Sequence, residues 1–243
     1  MNIGIDMGHP FNCGAFGIMS ETNGNRAVGR FLIAKLKELG HTVIDCTYDT
    51  NVNELANRVA LANAQSLDYF ISLHMDCYDN ASANGVTIYT TENSSAKAKA
   101  VEIINLVADS CNYNNRGWKS ADYYVLKNTK APAMLLEMGF VSNQGDCNKF
   151  NAEAITNAVI KGLTGQNVQT NTNEKGYIVT TYLPHSLTYD GIDINYVLSY
   201  FKDVKCYVRG NAKGVWIETE YLPIDKCNEL KSTLGSWFYS IEK

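Results

Sequence analysis

The chain has 243 residues, with 21 basic against 25 acidic side chains and a formal charge of −4. At 45% hydrophobic and 19% charged residues it holds enough apolar material for one large core or two smaller ones, which excludes wholesale disorder. The charge balance excludes an overall electrostatic grip on nucleic acid, and no apolar run approaches the ~20 residues that a bilayer span needs.

Residues 2–7 read as a short apolar strand. Residues 21–39 read as a helix, because Val28, Phe31, Leu32, Leu36 and Leu39 recur at helical spacing and Gly40 follows as a stop. Residues 41–48 read as a strand and 51–65 as a second helix, with Asn51 and Glu54 spaced like a capping box. Strands are expected at 68–73 and 85–91, then a long amphipathic helix at 94–112. Further strands are expected at 123–126 and 133–138, and a helix at 152–163. Such alternation predicts an α/β domain with a mainly parallel sheet flanked by helices. Residues 164–176 hold many amides and hydroxyls and read as a solvated linker. Beyond it, strands at 177–183, 204–209, 215–221 and 237–241 and helices at 193–201 and 225–234 give the order β-α-β-β-α-β, the ferredoxin-like plan of a small α+β domain. That second part has no cluster of His, Cys or carboxylates, so a binding or assembly role is expected for 177–243.

Seven cysteines are widely spread with no CxxC pair, which disfavours a disulfide scaffold or a Cys-zinc module. The first residues lack the basic start and apolar stretch of a secretory leader, so cytoplasmic synthesis is the expectation. Among the four histidines, His9 follows the first strand in IDMGHP and His74 ends a later one in FISLHMD. Both then sit at the carboxyl edge of a parallel sheet, where open α/β sheets place ligands. Glu137 in AMLLEMGF is a carboxylate in an apolar run, which needs compensation. Glu21 opens the first helix and can point to the same place. Taken singly, each has a structural alternative: a hydrogen-bonded histidine, a carboxylate facing a helix dipole, an ion-pair partner. Together, His9, Glu21 and His74 have the types of a three-ligand catalytic zinc site, which leaves Glu137 as acid and base. Two histidines and one carboxylate also suit non-haem iron, so residue types leave the metal open. His41 follows Gly40, where it can meet the helix-terminal carbonyls, and His185 follows Pro184 in an expected turn. Both read as structural or solvated.

The stretches IGIDMGHP, NGNRAVGRFLIAKLKELGH after Glu21, NELANRVALAN, DYFISLHMD and RGWKSADYYVLKNTKAPAMLLEMGFVSN carry a resemblance. Over 1–165 the chain resembles the zinc-dependent N-acetylmuramoyl-L-alanine amidases of bacterial autolysins and phage endolysins. The resemblance implies one zinc ion per chain, with His9, Glu21 and His74 matching the ligands and Glu137 the catalytic glutamate. It further implies bacterial peptidoglycan as substrate, cut between N-acetylmuramic acid and L-alanine, with neither nucleic acid nor membrane as partner. Two features depart from the family pattern: Met75 and Asp76 replace the usual aromatic and asparagine after the third ligand, and the loop between Gly8 and Glu21 is short. The second part resembles wall-binding modules in plan only, and its tyrosines and tryptophans are candidates for stacking on sugars. The two-part plan resembles endolysins that stay in the cytoplasm until released to the wall. The alternatives are a host autolysin, a zinc peptidase cutting within the stem peptide, a non-catalytic wall-binding protein, and self-association as the role of the second part.

Overall fold

The computed structural model describes residues 1–168, 175–183 and 194–243. Two compact units divide between Val168 and Gln169. The first opens with β1 (Asn2–Met7), α1 (Glu21–Glu38), β2 (Thr42–Asp45), α2 (Glu54–Asn63), β3 (Tyr69–Asp76) and β4 (Val86–Thr90). It continues with α3 (Lys97–Cys111), β5 (Asn115–Ser120), α4 (Tyr124–Asn128), β6 (Ala133–Phe140), α5 (Gln144–Lys149) and α6 (Ala152–Thr164). The strands run β2-β1-β3-β6-β4-β5, and every neighbouring pair is parallel except β4 with β6. The sheet is therefore mostly parallel, as expected.

Its two faces are covered unequally. On one, Ile3, Ile5, Ile71, Leu73 and Leu136 are buried with side chains of α1, α3 and α6 in the main core. Strand alternation sends Phe70 and Leu135 to the other face, where α2 and α4 supply only Val59, Ala62, Val125 and Leu126. Asp6 pairs with Ser72 across β1 and β3, and His74 with Glu137 across β3 and β6. These polar side chains share the thinly covered face.

Several local expectations are corrected. Residues 123–126 do not form a strand: the amides of Leu126 and Lys127 both bond to Tyr123 O at 3.0 Å, so this segment opens α4. The place beside β4 goes to β5, an edge strand whose polar run NRGWKS hides it in the sequence. The capping box of Asn51 and Glu54 does not form; Asn53, at φ 51°, occupies the N-cap without a side-chain bond, and α2 begins at Glu54. The His41 ring bonds Gln166 Oε1 at 2.7 Å rather than the end of α1, while its backbone amide takes Leu36 O. In the expected linker, Val168 packs against the first core, residues 169–174 lie outside the described residues, and Lys175 and Gly176 belong to the next strand.

The second unit comprises β7 (Lys175–Thr180), α7 (Ile194–Leu198), β8 (Cys206–Asn211), β9 (Gly214–Thr219), β10 (Leu222–Pro223), α8 (Ile224–Leu234) and β11 (Phe238–Glu242). Val179 of β7 pairs with Glu218 of β9 and with Ser240 of β11, so β7 lies between them; β8 lies beyond β9, and all pairings are antiparallel. Ile178, Val197, Phe201, Ile217, Leu230 and Leu234 form its core. The expected helix over 193–201 covers Ile194–Leu198; Asp193, His185 and Tyr189 lie outside the described residues. All seven cysteines are free. Among the described residues, no helix is long and apolar enough to cross a membrane.

Candidate active site

The register of β3 and β6 sets His74 beside Glu137. His9 reaches them because the chain turns sharply after β1. Its φ of 59° lies in the left-handed region, a conformation that costs a non-glycine residue about 1–2 kcal/mol and needs support. Buried Arg26 of α1 supplies it, donating to the carbonyls of Gly8 and His9 while paired with Asp49. Glu21 arrives from the first turn of α1, whose N-cap Ser20 accepts from the Asn23 amide. Its Oε2 accepts from the Ala15 amide at 2.6 Å, and its Oε1 from the Met75 amide at 3.3 Å.

Three of the four expected site residues thus form one cluster. Glu21 Oε1 lies 3.2 Å from His9 Nε2 and 3.0 Å from His74 Nδ1, and these potential ligand atoms all lie within 4.8 Å of one another. Bonds of ~2.1 Å at tetrahedral angles place zinc ligands roughly 3.4 Å apart, so this donor set fits such an ion. Two glycines leave the room. A Cβ on Gly8 would stand 2.2 Å from the His74 ring, and one on Gly14, at φ +79°, would stand 2.8 Å from Glu21 Oε2. Burial pushes the Glu21 carboxyl upward, but the hydrogen bonds of His74 and His9 together override it and hold the group well below the usual carboxylate range. The same bond to Glu21 raises His9 against its own burial. A negative carboxylate facing two imidazoles is what a divalent cation needs.

A second layer fixes His74. Its Nε2 lies 3.1 Å from Ser72 Oγ, and Ser72 Oγ donates its single proton to Asp6 Oδ2 at 2.6 Å. Ser72 can therefore only accept from His74, which keeps Nε2 protonated and turns Nδ1 towards Glu21. Asp6 is held in turn by Arg58, which also bonds Met7 O at 2.8 Å and Tyr48 O at 2.6 Å. Asp6 and Arg58 are each 1% exposed.

Glu137 faces the same cavity, of about 280 Å³, together with His9, His74, Tyr123 and Tyr124. Its Oε2 is buried with no hydrogen-bond partner among the described residues. Burial, then the nearby charges of Asp76 and Glu21, raise its carboxyl well above the ordinary value. A carboxyl raised in this way holds a proton more readily than an exposed one, which suits a group that must take a proton and return it. Sequence reasoning missed Asp6, Ser72 and Arg58. For Asp6 in IGIDM and Ser72 in FISLH the signal was present, since each is a polar residue inside an apolar strand, as Glu137 is.

Comparison with known proteins places the chain in a family. Residues 3–165 match the N-acetylmuramoyl-L-alanine amidase family Amidase_3. The uncharacterized protein YqiI of Bacillus subtilis is 32% identical over 168 residues, covering 65% of this chain and 81% of YqiI. N-acetylmuramoyl-L-alanine amidase LytC of the same organism is 30% identical over 150 residues, covering 60% of this chain and 30% of LytC. The chain spans about a third (34%) of the length of the probable cell wall amidase LytH of Staphylococcus epidermidis. Among solved structures, the catalytic domain of the amidase CwlV from Bacillus (Paenibacillus) polymyxa superposes with a TM-score of 0.62 at 27% identity, covering 68% of this chain and 96% of that domain. The catalytic domain of the CD27L endolysin shares the fold, with a TM-score of 0.63 at 23% identity, over 70% of this chain and 99% of that domain. The chain belongs to the N-acetylmuramoyl-L-alanine amidase family.

Proposed function

We propose that the protein is a zinc-dependent N-acetylmuramoyl-L-alanine amidase. It cuts the amide joining the lactyl group of N-acetylmuramic acid to L-alanine of the stem peptide. The observation that carries this reading is the meeting of His9, Glu21 and His74 on one point, with the partnerless Oε2 of Glu137 in the same cavity. Zinc held by those three residues supplies Lewis acidity and an acidified water. Glu137 Oε2 takes the proton of the attacking water and returns it to the departing alanine nitrogen, which needs it to leave as an amine. Ser72 and Asp6 keep His74 in the orientation that presents Nδ1, and Arg26 keeps His9 turned inwards.

In this reading the protein is an endolysin-type peptidoglycan hydrolase, with the second unit as a ferredoxin-like module that targets the wall. The strand order β11-β7-β9-β8 supports the ferredoxin-like plan. The test is digestion of purified Gram-positive walls. Turbidity should fall and new alanine amino termini appear, chelation should stop both, and added zinc should restore both. Turbidity loss without new amino termini, or full activity in chelator, would overturn the reading.

A further inference from the structure

We propose that the open face of the second unit's sheet is a glycan-binding groove; this deepens the reading of that unit as a wall-targeting module and rests on it. Strand alternation directs Ile178 and Ile217 into the core and sends Tyr177, Val179, Trp216 and Glu218 to the opposite face. There, with Tyr182 and Tyr239, they line a cavity of about 640 Å³, a size typical of ligand sites. The groove is pre-organised. Tyr182 and Trp216 meet edge to face at 5.9 Å. Trp216 Nε1 donates to Glu218 Oε1 at 3.0 Å, and Arg209 Nε donates to the other oxygen at 2.8 Å. Asn211 Nδ2 donates to Tyr182 Oη at 3.3 Å. Rings fixed in this way lose little freedom when a ligand stacks on them.

The lining selects the occupant. Among the described residues that line the groove none is basic; Glu218 is paired with Arg209, and Glu242 adds a second carboxylate. A phosphate-rich polymer, nucleic acid included, would meet the like charge of Glu242 there. Among the described residues Val179 is the one aliphatic hydrophobe in the lining, too little to hold the apolar stripe of a docking helix. A neutral sugar chain fits both conditions. Its C–H faces stack on the tyrosine and tryptophan rings, and its hydroxyls donate to the carboxylates and bond the Asn211 amide. Tyr239, 70% exposed, and Tyr182, 48% exposed, offer ring surface that such a chain would cover.

The test uses the full chain carrying Glu137→Gln, so that walls are bound without being digested. The probes are intact walls, peptidoglycan stripped of its phosphate polymers by acid, and the soluble tetramer of N-acetylglucosamine. Retention on both solids, undisturbed by chelator and released by the tetramer, is expected. In that background, Tyr182→Ala and Tyr239→Ala should each weaken retention about five- to tenfold, whereas Trp216→Phe, which keeps a ring, should lose far less. In the parent enzyme the two tyrosine variants should leave zinc content and cleavage of small soluble muropeptides unchanged. Equal retention of the ring variants overturns the groove, as does release by choline but not by the tetramer. Retention on intact walls that vanishes on stripped peptidoglycan overturns the glycan assignment while leaving wall targeting intact. No retention of the unsubstituted groove on intact walls overturns wall targeting itself.

Discussion

Substituting Ser72→Ala removes one hydroxyl and replaces none of the proposed ligands. The hydroxyl links His74 Nε2, at 3.1 Å, to Asp6 Oδ2, at 2.6 Å. Without it the His74 ring loses the acceptor of its Nε2 proton, and the ligand atom Nδ1 loses its fixed aim. Outer partners of this kind change metal affinity by about 10–100-fold, which corresponds to about 1.4–2.7 kcal/mol. Ser72 is fully buried, so solvent does not replace the lost bonds, and the Asp6 oxygen left without a donor costs a further ~1–3 kcal/mol of stability. Zinc affinity is measured by competition with a chromogenic chelator, and stability by thermal melting of the metal-free protein. Ser72→Ala should lower both, and Ser72→Thr, which keeps the hydroxyl, should recover the affinity. A Ser72→Ala protein that melts earlier but binds zinc as tightly as the parent would show that the hydroxyl serves packing alone, and the orientation argument would fail.

Glu137→Gln should bind zinc normally while losing about 10²–10⁴ in hydrolysis rate, measured on purified walls. Its stability should also depend on pH differently. The native Glu137 carboxyl titrates above its ordinary value because it is buried, so the native state keeps a proton that the unfolded chain has already released. Stability therefore falls as pH rises from the ordinary carboxylate range through the raised native value. Metal-free Glu137→Gln should accordingly melt above the parent near pH 8 and level with it near pH 4; equal melting at both would contradict the burial argument. Asp6→Asn leaves buried Arg58 with the more distant carboxylate of Glu54, at 3.6 Å, as its counter-ion, and should cost up to about 3–5 kcal/mol in denaturant unfolding. Gly8→Ala puts a methyl 2.2 Å from the His74 ring, and calorimetric zinc titration should show weakened binding with far-UV dichroism unchanged.

Where periodicity and burial act together, the sequence was readable. The apolar spacing of Val28, Leu32 and Leu36 located α1, and the apolar runs around Ile71 and Leu136 located the central strands. Because β3 and β6 are parallel neighbours, residues near the same end of each run met across the sheet, which made His74 and Glu137 legible as a pair. The edges were harder. NRGWKS forms β5 although its burial is slight, and the β-like YYVL segment enters α4 from Tyr124 while β5 takes the place beside β4. Asp6 and Ser72 carried the same signal as Glu137, a polar side chain in an apolar strand. Their partnership with Arg58 was not legible, since Arg58 lies 52 positions from Asp6 on a helix whose pattern shows no reason for a buried cation. The αL turn at His9 was likewise hidden, because it depends on Arg26 gripping two carbonyls from another element.

Mass spectrometry of the products released from purified peptidoglycan tests the chemistry at its source. Zinc amidase action yields free stem peptides beginning with L-alanine, glycan strands whose muramic acid carries an open lactyl carboxylate, and neither product once the metal is chelated. Peptides still joined to muramic acid and cut between later residues would contradict it.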